Sequence, residues 1–219
     1  MKLDTFDLIQ ATKRLPVDFL EIVKSPEWQG KIFIGGGYLR AIVAREPIND
    51  IDVFVRSKSD AELLALKLAP KKDIVTTENA FTIKRKTPIQ FIHRWIFDKP
   101  EDVAKSFDFT VCCAVISFKD DKWESYCDDR FYVDIASKRL VYRRPVRNED
   151  AGGSMIRVLK YYEKGYRIPL RYLGDVIARL IKGIDIERTR GLQYEEEVGR
   201  IITGLLVEVD PNGIHPDDI

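Results

Sequence analysis

The residues most able to do chemistry are two aspartates and three glycines. Asp50 and Asp52 stand two positions apart in Asp50-Ile51-Asp52-Val53-Phe54-Val55, and Gly35-Gly36-Gly37 precedes them after Lys31-Ile32-Phe33-Ile34. In a strand, positions i and i+2 face the same side, about 6–7 Å apart at Cα. Two carboxylates so placed can hold a pair of Mg²⁺ ions and grip a polyphosphate. Ile51 and Val53 then pack on the opposite face. Glycines at a strand-to-helix turn let backbone N–H groups approach an anion, and the helix N-terminus adds partial positive charge. Arg40, one turn into that helix, can add a guanidinium fork. Taken singly, a glycine run is usually only a turn and a D-x-D only surface chemistry; the combination points to phosphate chemistry on a nucleoside triphosphate.

These residues need a strand, a turn, a helix and a second strand in that order. Lys31–Ile34 is short and β-prone. Tyr38–Ala44 places Leu39, Ile42 and Val43 on one helical face. Pro47-Ile48-Asn49 breaks that helix before the aspartate strand. Ser57-Lys58-Ser59-Asp60 is a capping pattern ahead of a leucine-rich helix over 61–68. Further strands are expected over 74–77, 80–84 and 88–95. Pro100 opens a short helix ending near Ser106. Residues 107–118 read as one extended run, and 130–135 as a connector or short strand. Residues 4–26 read as one or two short helices broken near Pro16. From Asn148 onward the pattern is helical, over 154–164, 170–182 and 194–207, with Gly165, Gly183 and Pro211 as stops. The expected architecture is a mixed α/β sheet with flanking helices over residues 1–147, followed by a helical domain over 148–219.

Four segments in register resemble the class II tRNA nucleotidyltransferase and bacterial poly(A) polymerase family. Gly36-Gly37-Tyr38-Leu39-Arg40 through Asp50-Ile51-Asp52 is similar to its G-G-x-x-R…D-I-D motif, with the same internal spacing. Ser106-Phe107-Asp108-Phe109-Thr110-Val111 is similar to R-R-D-F-T-I. Asp134-Ile135 through Arg139-Leu140-Val141 resembles the segment leading into the neck. Asn148-Glu149-Asp150, Met155-Ile156-Arg157 and Gly165-Tyr166 resemble the neck helix motif E-D-x-x-R…G-F. The resemblance covers about residues 30–170. It implies a nucleotidyltransferase-fold head with a helical neck. It also implies Mg²⁺ held by Asp50 and Asp52, and nucleotide contacts from Gly36, Gly37, Arg40, Asp108 and Arg157. The implied reaction is transfer of a nucleoside monophosphate from an NTP to an acceptor hydroxyl, most naturally an RNA (tRNA-like) 3′ end. Other acceptors, a protein side chain or a small molecule, and a catalytically eroded nucleotide- or RNA-binding module remain open.

The chain departs from that family at defined places. Ala41 stands where an aspartate follows the motif arginine, Ser106 and Phe107 replace an arginine pair, and Ser154 falls where the neck arginine is expected. Gln90 occupies the strand position of a third carboxylate found in many members of the wider fold. An amide cannot supply an anionic ligand.

Composition sets the remaining bounds. The chain has 219 residues, 45% hydrophobic and 32% charged, with a net charge of +1. That is a globular composition without the overall basic excess common in nucleic-acid proteins. Positive charge is nevertheless segregated at Lys138, Arg139, Arg143, Arg144 and Arg147, with a smaller cluster at Lys84, Arg85 and Lys86. No apolar run reaches the length of a membrane span and no signal-peptide core opens the chain, so a cytoplasmic location and no membrane partner are expected. Cys112, Cys113 and Cys127 match no zinc spacing and are expected to be buried. His93 is expected to be structural, and Tyr161 and Tyr162 to pack.

Overall fold

A computed structural model describes residues 1–144, 151–182, 195–196, 198–200 and 202–203. The segment Arg147–Asp150, the stops at Gly183 and Pro211 and most of the helix expected over 194–207 lie outside the described residues. The chain divides into two compact units, Met1–Ser137 and Lys138–Ile219.

The first unit is built on a seven-stranded mixed sheet. Its strands are β1 (Phe33–Gly35), β2 (Ile51–Phe54), β3 (Ile74–Thr76), β4 (Ala80–Ile83), β5 (Ile89–Ile92), β6 (Ala114–Lys119) and β7 (Lys122–Cys127). They lie in the order β3-β4-β5-β2-β1-β6-β7. β2 and β5 run parallel and every other neighbouring pair is antiparallel. The helices are α1 (Thr5–Lys13), α2 (Val17–Lys24), α3 (Gly37–Ala44), α4 (Lys58–Leu68), α5 (Pro100–Ser106) and α6 (Phe131–Ala136).

Local chemistry accounts for most of these elements. The Asp4 side chain caps α1 by accepting from the Phe6 N–H. Ser57 caps α4 by accepting from the Asp60 N–H at 3.0 Å, as the capping pattern requires. Pro100 sits in the first turn of α5. α3 is apolar almost all round and is buried from Tyr38 to Ile42, which is how a helix behaves when packed on several sides. The Tyr38 hydroxyl donates to the Ala11 carbonyl and ties α3 to α1.

Alternation along the strands sorts the two sheet faces. Ile34 pairs with Val53, and Val53 with Phe91. On that face Phe19 of α2 meets the Phe91 ring edge-on, centroids 5.9 Å apart. On the other face Phe33 pairs with Phe54, and both pack with Val103, Ala104 and Val115 beneath α5. One step further along the same face stand Gly35, Asp52 and Gln90, register partners across β1, β2 and β5. The half-exposed polar residues therefore occupy the end of a face whose other part is apolar core.

Three expectations along the chain need revision. Residues 107–118 are not one strand: Thr110–Cys112 forms a 3₁₀ turn and β6 begins only at Ala114. The turn is stabilised by a tertiary contact, the buried Thr110 hydroxyl donating to Asp134 at 2.6 Å, which overrides a β-prone sequence. Residues 130–135 are helical rather than extended. The Asp128 side chain accepts from the Arg130 N–H, and Arg130 reaches Asp134 one turn on. β7 is an additional strand, joined to β6 through Asp120 and Asp121, both at positive φ. Two left-handed residues are what a tight hairpin demands, and aspartate tolerates that conformation. Cys112, Cys113 and Cys127 are all buried.

The second unit contains helices α7 (Ala151–Glu163) and α8 (Leu170–Lys182). Gly165 stops α7 at φ 82°, and the Tyr166 N–H returns to the Tyr161 carbonyl. Arg139 forms an isolated parallel bridge with Arg167. Leu140, Tyr142, Tyr166, Ile168, Val176 and Leu180 are buried. No helix among the described residues is long and apolar enough to cross a membrane.

Candidate active site

The glycine turn and the aspartate strand meet. Gly36 caps α3 with φ 71° and ψ −137°, a conformation open to glycine and strained for other residues. A Cβ built on Gly36 would lie 3.3 Å from Asp52 Oδ2 and 3.0 Å from the ring of Phe107. The carboxylate of Asp52 therefore rests against the turn itself. Gly35 is equally confined, since a Cβ there would come within 2.8 Å of the Ala114 carbonyl. Gly37 is different: nothing lies within 4 Å of where its Cβ would be. The turn is packed behind and open in front, the shape needed for a ligand to approach the first N–H groups of a helix.

Asp50 immediately precedes β2, and the Ile51 N–H donates to the Pro88 carbonyl at 2.9 Å, so the pairing with β5 holds up to Asp50. Gln90 Nε2 donates to Asp50 Oδ2 at 3.4 Å, while Gln90 is also the register partner of Asp52. Both aspartates are half-buried, and Ile51 and Val53 between and beyond them are fully buried. The two carboxylates thus share one side of the strand, as alternation demands.

The other expected site residues are placed as follows. Arg40 is 3% exposed and forms an ion pair with Glu46. Glu46 follows Arg45, which ends α3 in the left-handed conformation, and the Glu46 N–H donates to the Ala41 carbonyl. A carboxylate missing at Ala41 is thus met from five residues further on; nothing in the sequence pattern marked Glu46 for this. Asp108 is 5% exposed, in the bend between α5 and the 3₁₀ turn. Its neighbour Phe107 packs edge-on against Phe54 and touches Gly35 and Gly36, so an aromatic ring stands where the resembling family carries arginine. Arg157 is half-buried on α7, in the second unit. Ser154 is buried. His93 is buried, its ring tilted 4.6 Å from that of Phe81; burial, with a contribution from Lys58, pushes its pKa down.

A second buried polar group supports the Asp108 segment. Asp134 has no exposed surface, receives two hydrogen bonds from the Arg130 guanidinium at 2.7 and 3.1 Å, and accepts from Thr110. A buried charge persists only when paired and hydrogen-bonded. This network fixes the turn that follows Asp108 and Phe109.

The donor set suits a hard cation. Asp50 and Asp52 offer carboxylate oxygens on one face, and Mg²⁺ is typically held by one or two carboxylates with the rest of its shell from water and substrate phosphates. Among the described residues no group of three or more His, Cys, Asp and Glu is arranged to hold a metal ion. A cation here would therefore depend on phosphate oxygens to complete its coordination.

Residues 11–138 match the profile of the "Gad2: Gabija anti-defense 2 family protein" group, which is more than half of the chain. The chain belongs to the Gabija anti-defense 2 family. It is 27% identical over 145 residues to "Gabija anti-defense 2" of Bacillus phage SPbetaL7, a match covering 64% of this chain and 35% of that protein. Among solved structures it is similar to the Thermotoga maritima CCA-adding enzyme complexed with tRNA, with TM-score 0.57 and 17% identity, over 97% of this chain and 57% of that one. It is also similar to a CCA-adding enzyme with ATP, with TM-score 0.56 and 15% identity, again over 97% and 57%. The chain thus spans about a third of the curated relative's length and little more than half of the CCA-adding chains. The expected family is corrected accordingly: the sequence belongs with Gabija anti-defense 2 and not with the poly(A) polymerases, and its likeness to CCA-adding enzymes is one of nucleotidyltransferase fold.

Proposed function

We propose that this member of the Gabija anti-defense 2 family transfers a nucleoside monophosphate from an NTP to an acceptor hydroxyl, and that the acceptor is an RNA 3′ end. The observation that carries the reading is the contact of the Asp52 carboxylate with the Gly36 turn, on the sheet face shared with Asp50. In this reading the open side of the turn, at Gly37, receives the triphosphate through backbone N–H groups. Asp50 and Asp52 are the residues that would hold Mg²⁺. The cation would neutralise charge on the polyphosphate and on the attacking oxygen. Phe107 closes the rear of the turn and keeps water from the back of Asp52. In this reading Asp108, which precedes the turn held by the Thr110–Asp134 network, would lie toward the sugar. The acceptor hydroxyl releases its proton to water as its oxygen bonds to the α-phosphorus, the bond from that phosphorus to the bridging oxygen breaks, and pyrophosphate leaves with the electron pair. CCA-adding structures with tRNA and with ATP support nucleotide and RNA as the partners.

A second reading is favoured by the family name. A protein named for anti-defence could add the nucleotide to a protein of the defence it opposes. One experiment separates the two. The chain is incubated with Mg²⁺, α-labelled NTPs, total RNA and bacterial lysate. Label in RNA, lost in Asp52→Asn, supports the leading reading. Label in a protein alone moves the acceptor to protein. Absence of label from every acceptor would refute transferase activity.

A further inference from the structure

We propose that Arg139 and Arg167 form a backbone-phosphate clamp for single-stranded RNA in the second unit, a role that rests on the RNA reading above. The Arg167 N–H donates to the Lys138 carbonyl at 2.8 Å, and the Leu140 N–H donates to the Arg167 carbonyl at 2.9 Å. This is a parallel bridge with Arg139 and Arg167 as direct partners. Partner side chains in a parallel pair leave on the same side. Both arginines are exposed, and the residues that flank them, Leu140, Tyr166 and Ile168, are buried. The two arginine side chains therefore leave the bridge on the same side, toward solvent.

Like charges directly opposite each other destabilise a strand pair. The same unit shows how such a charge is ordinarily matched: Arg144 is ion-paired to Asp175. Among the described residues neither Arg139 nor Arg167 takes part in an ion pair. Arg167 is also held in place. Its Nη1 donates to the Tyr166 carbonyl at 2.9 Å, and its guanidinium lies 4.5 Å from the centroid of the half-exposed Tyr162 ring. Lys138 lies 4.5 Å over Tyr166 beside it. A stacked guanidinium is oriented before any ligand arrives and keeps an edge for phosphate oxygens. Lys138, Arg139 and Arg167 thus form a cationic row, a surface that can track the phosphates of a single strand.

The test is fluorescence anisotropy with a labelled single-stranded oligoribonucleotide, titrated over a salt series with the full chain. Arg139→Gln/Arg167→Gln should weaken binding at least tenfold. It should also flatten the slope of log K against log salt by about 1.4, since each lost phosphate contact on a single strand removes roughly 0.7. Arg139→Glu should abolish binding while raising the melting temperature, because it gives Arg167 a carboxylate opposite it. Unchanged RNA affinity and slope in the double variant, with label transfer to RNA intact in the wild type, would overturn the clamp and leave the RNA reading standing. A wild-type chain that binds no oligoribonucleotide would overturn both. A fall in melting temperature in Arg139→Glu, matching its loss of binding, would assign the pair to structure and overturn the proposal.

Discussion

Two adjacent glycines should respond in opposite ways to the same added methyl group. Gly36→Ala places a Cβ at φ 71°, which costs roughly 1–3 kcal/mol for a non-glycine residue. That Cβ would also stand 3.0 Å from the Phe107 ring and 3.3 Å from Asp52 Oδ2, so ring and carboxylate must both give way. Overpacking of this kind adds about 1–3 kcal/mol. The loss should be on the order of 2–6 kcal/mol, or roughly 6–24 °C in melting temperature for a unit of this size. Gly37→Ala meets nothing within 4 Å and lies in the first turn of α3. Alanine is the better helix former, so stability should hold or rise by up to about 1 kcal/mol. The methyl instead enters the open space in front of the turn, and NTP affinity should fall by about tenfold, equivalent to ~1.4 kcal/mol. Differential scanning fluorimetry and calorimetry with a non-hydrolysable NTP and Mg²⁺ read the two effects separately. If Gly36→Ala melts with the wild type, the turn is not packed as described. If Gly37→Ala binds nucleotide normally, the open side of the turn is not the phosphate site.

Gln90→Glu would set a third carboxylate beside Asp50 and Asp52. It should tighten Mn²⁺ or Mg²⁺ binding by roughly tenfold in calorimetry while lowering the metal-free melting temperature through like-charge repulsion. Asp134→Asn removes the charge that balances Arg130 and serves Thr110. A loss of about 2 kcal/mol in urea unfolding is expected, discounted from the full buried-pair value because Arg130 is half-exposed. Unchanged unfolding would show that the network does not hold the 3₁₀ turn. His93 has a folded pKa below its ordinary 6.5, chiefly through burial. The unfolded chain then binds the extra proton first as pH falls, so the His93 contribution is present above about 6.5 and is lost below it. His93→Gln should flatten the melting temperature against pH between about 5 and 7.

How much was legible in the sequence depended on the range of the forces involved. The glycine turn, the aspartate strand, the Ser57 cap and Pro100 at the start of α5 are set by neighbours a few residues apart, and the sequence displays them directly. Alternation around Asp50, Ile51, Asp52 and Val53 also fixed which side the acids take. Residues 107–118 and 130–135 depart from their local propensity together because each depends on the other: Thr110 and Asp134 are 24 positions apart and one hydrogen bond apart in space. Local β propensity carries no information about that bond.

The sequence alone determined that two carboxylates and a glycine turn would belong to adjoining elements of a mixed α/β fold, because period-two alternation and glycine stereochemistry are local rules. Only the tertiary structure decided that Asp52 lies against Gly36, that Glu46 meets Arg40, that Phe107 fills the back of the turn and that Arg139 faces Arg167. Those contacts arise from the order of strands in the sheet and the burial it imposes, which no short window of residues encodes.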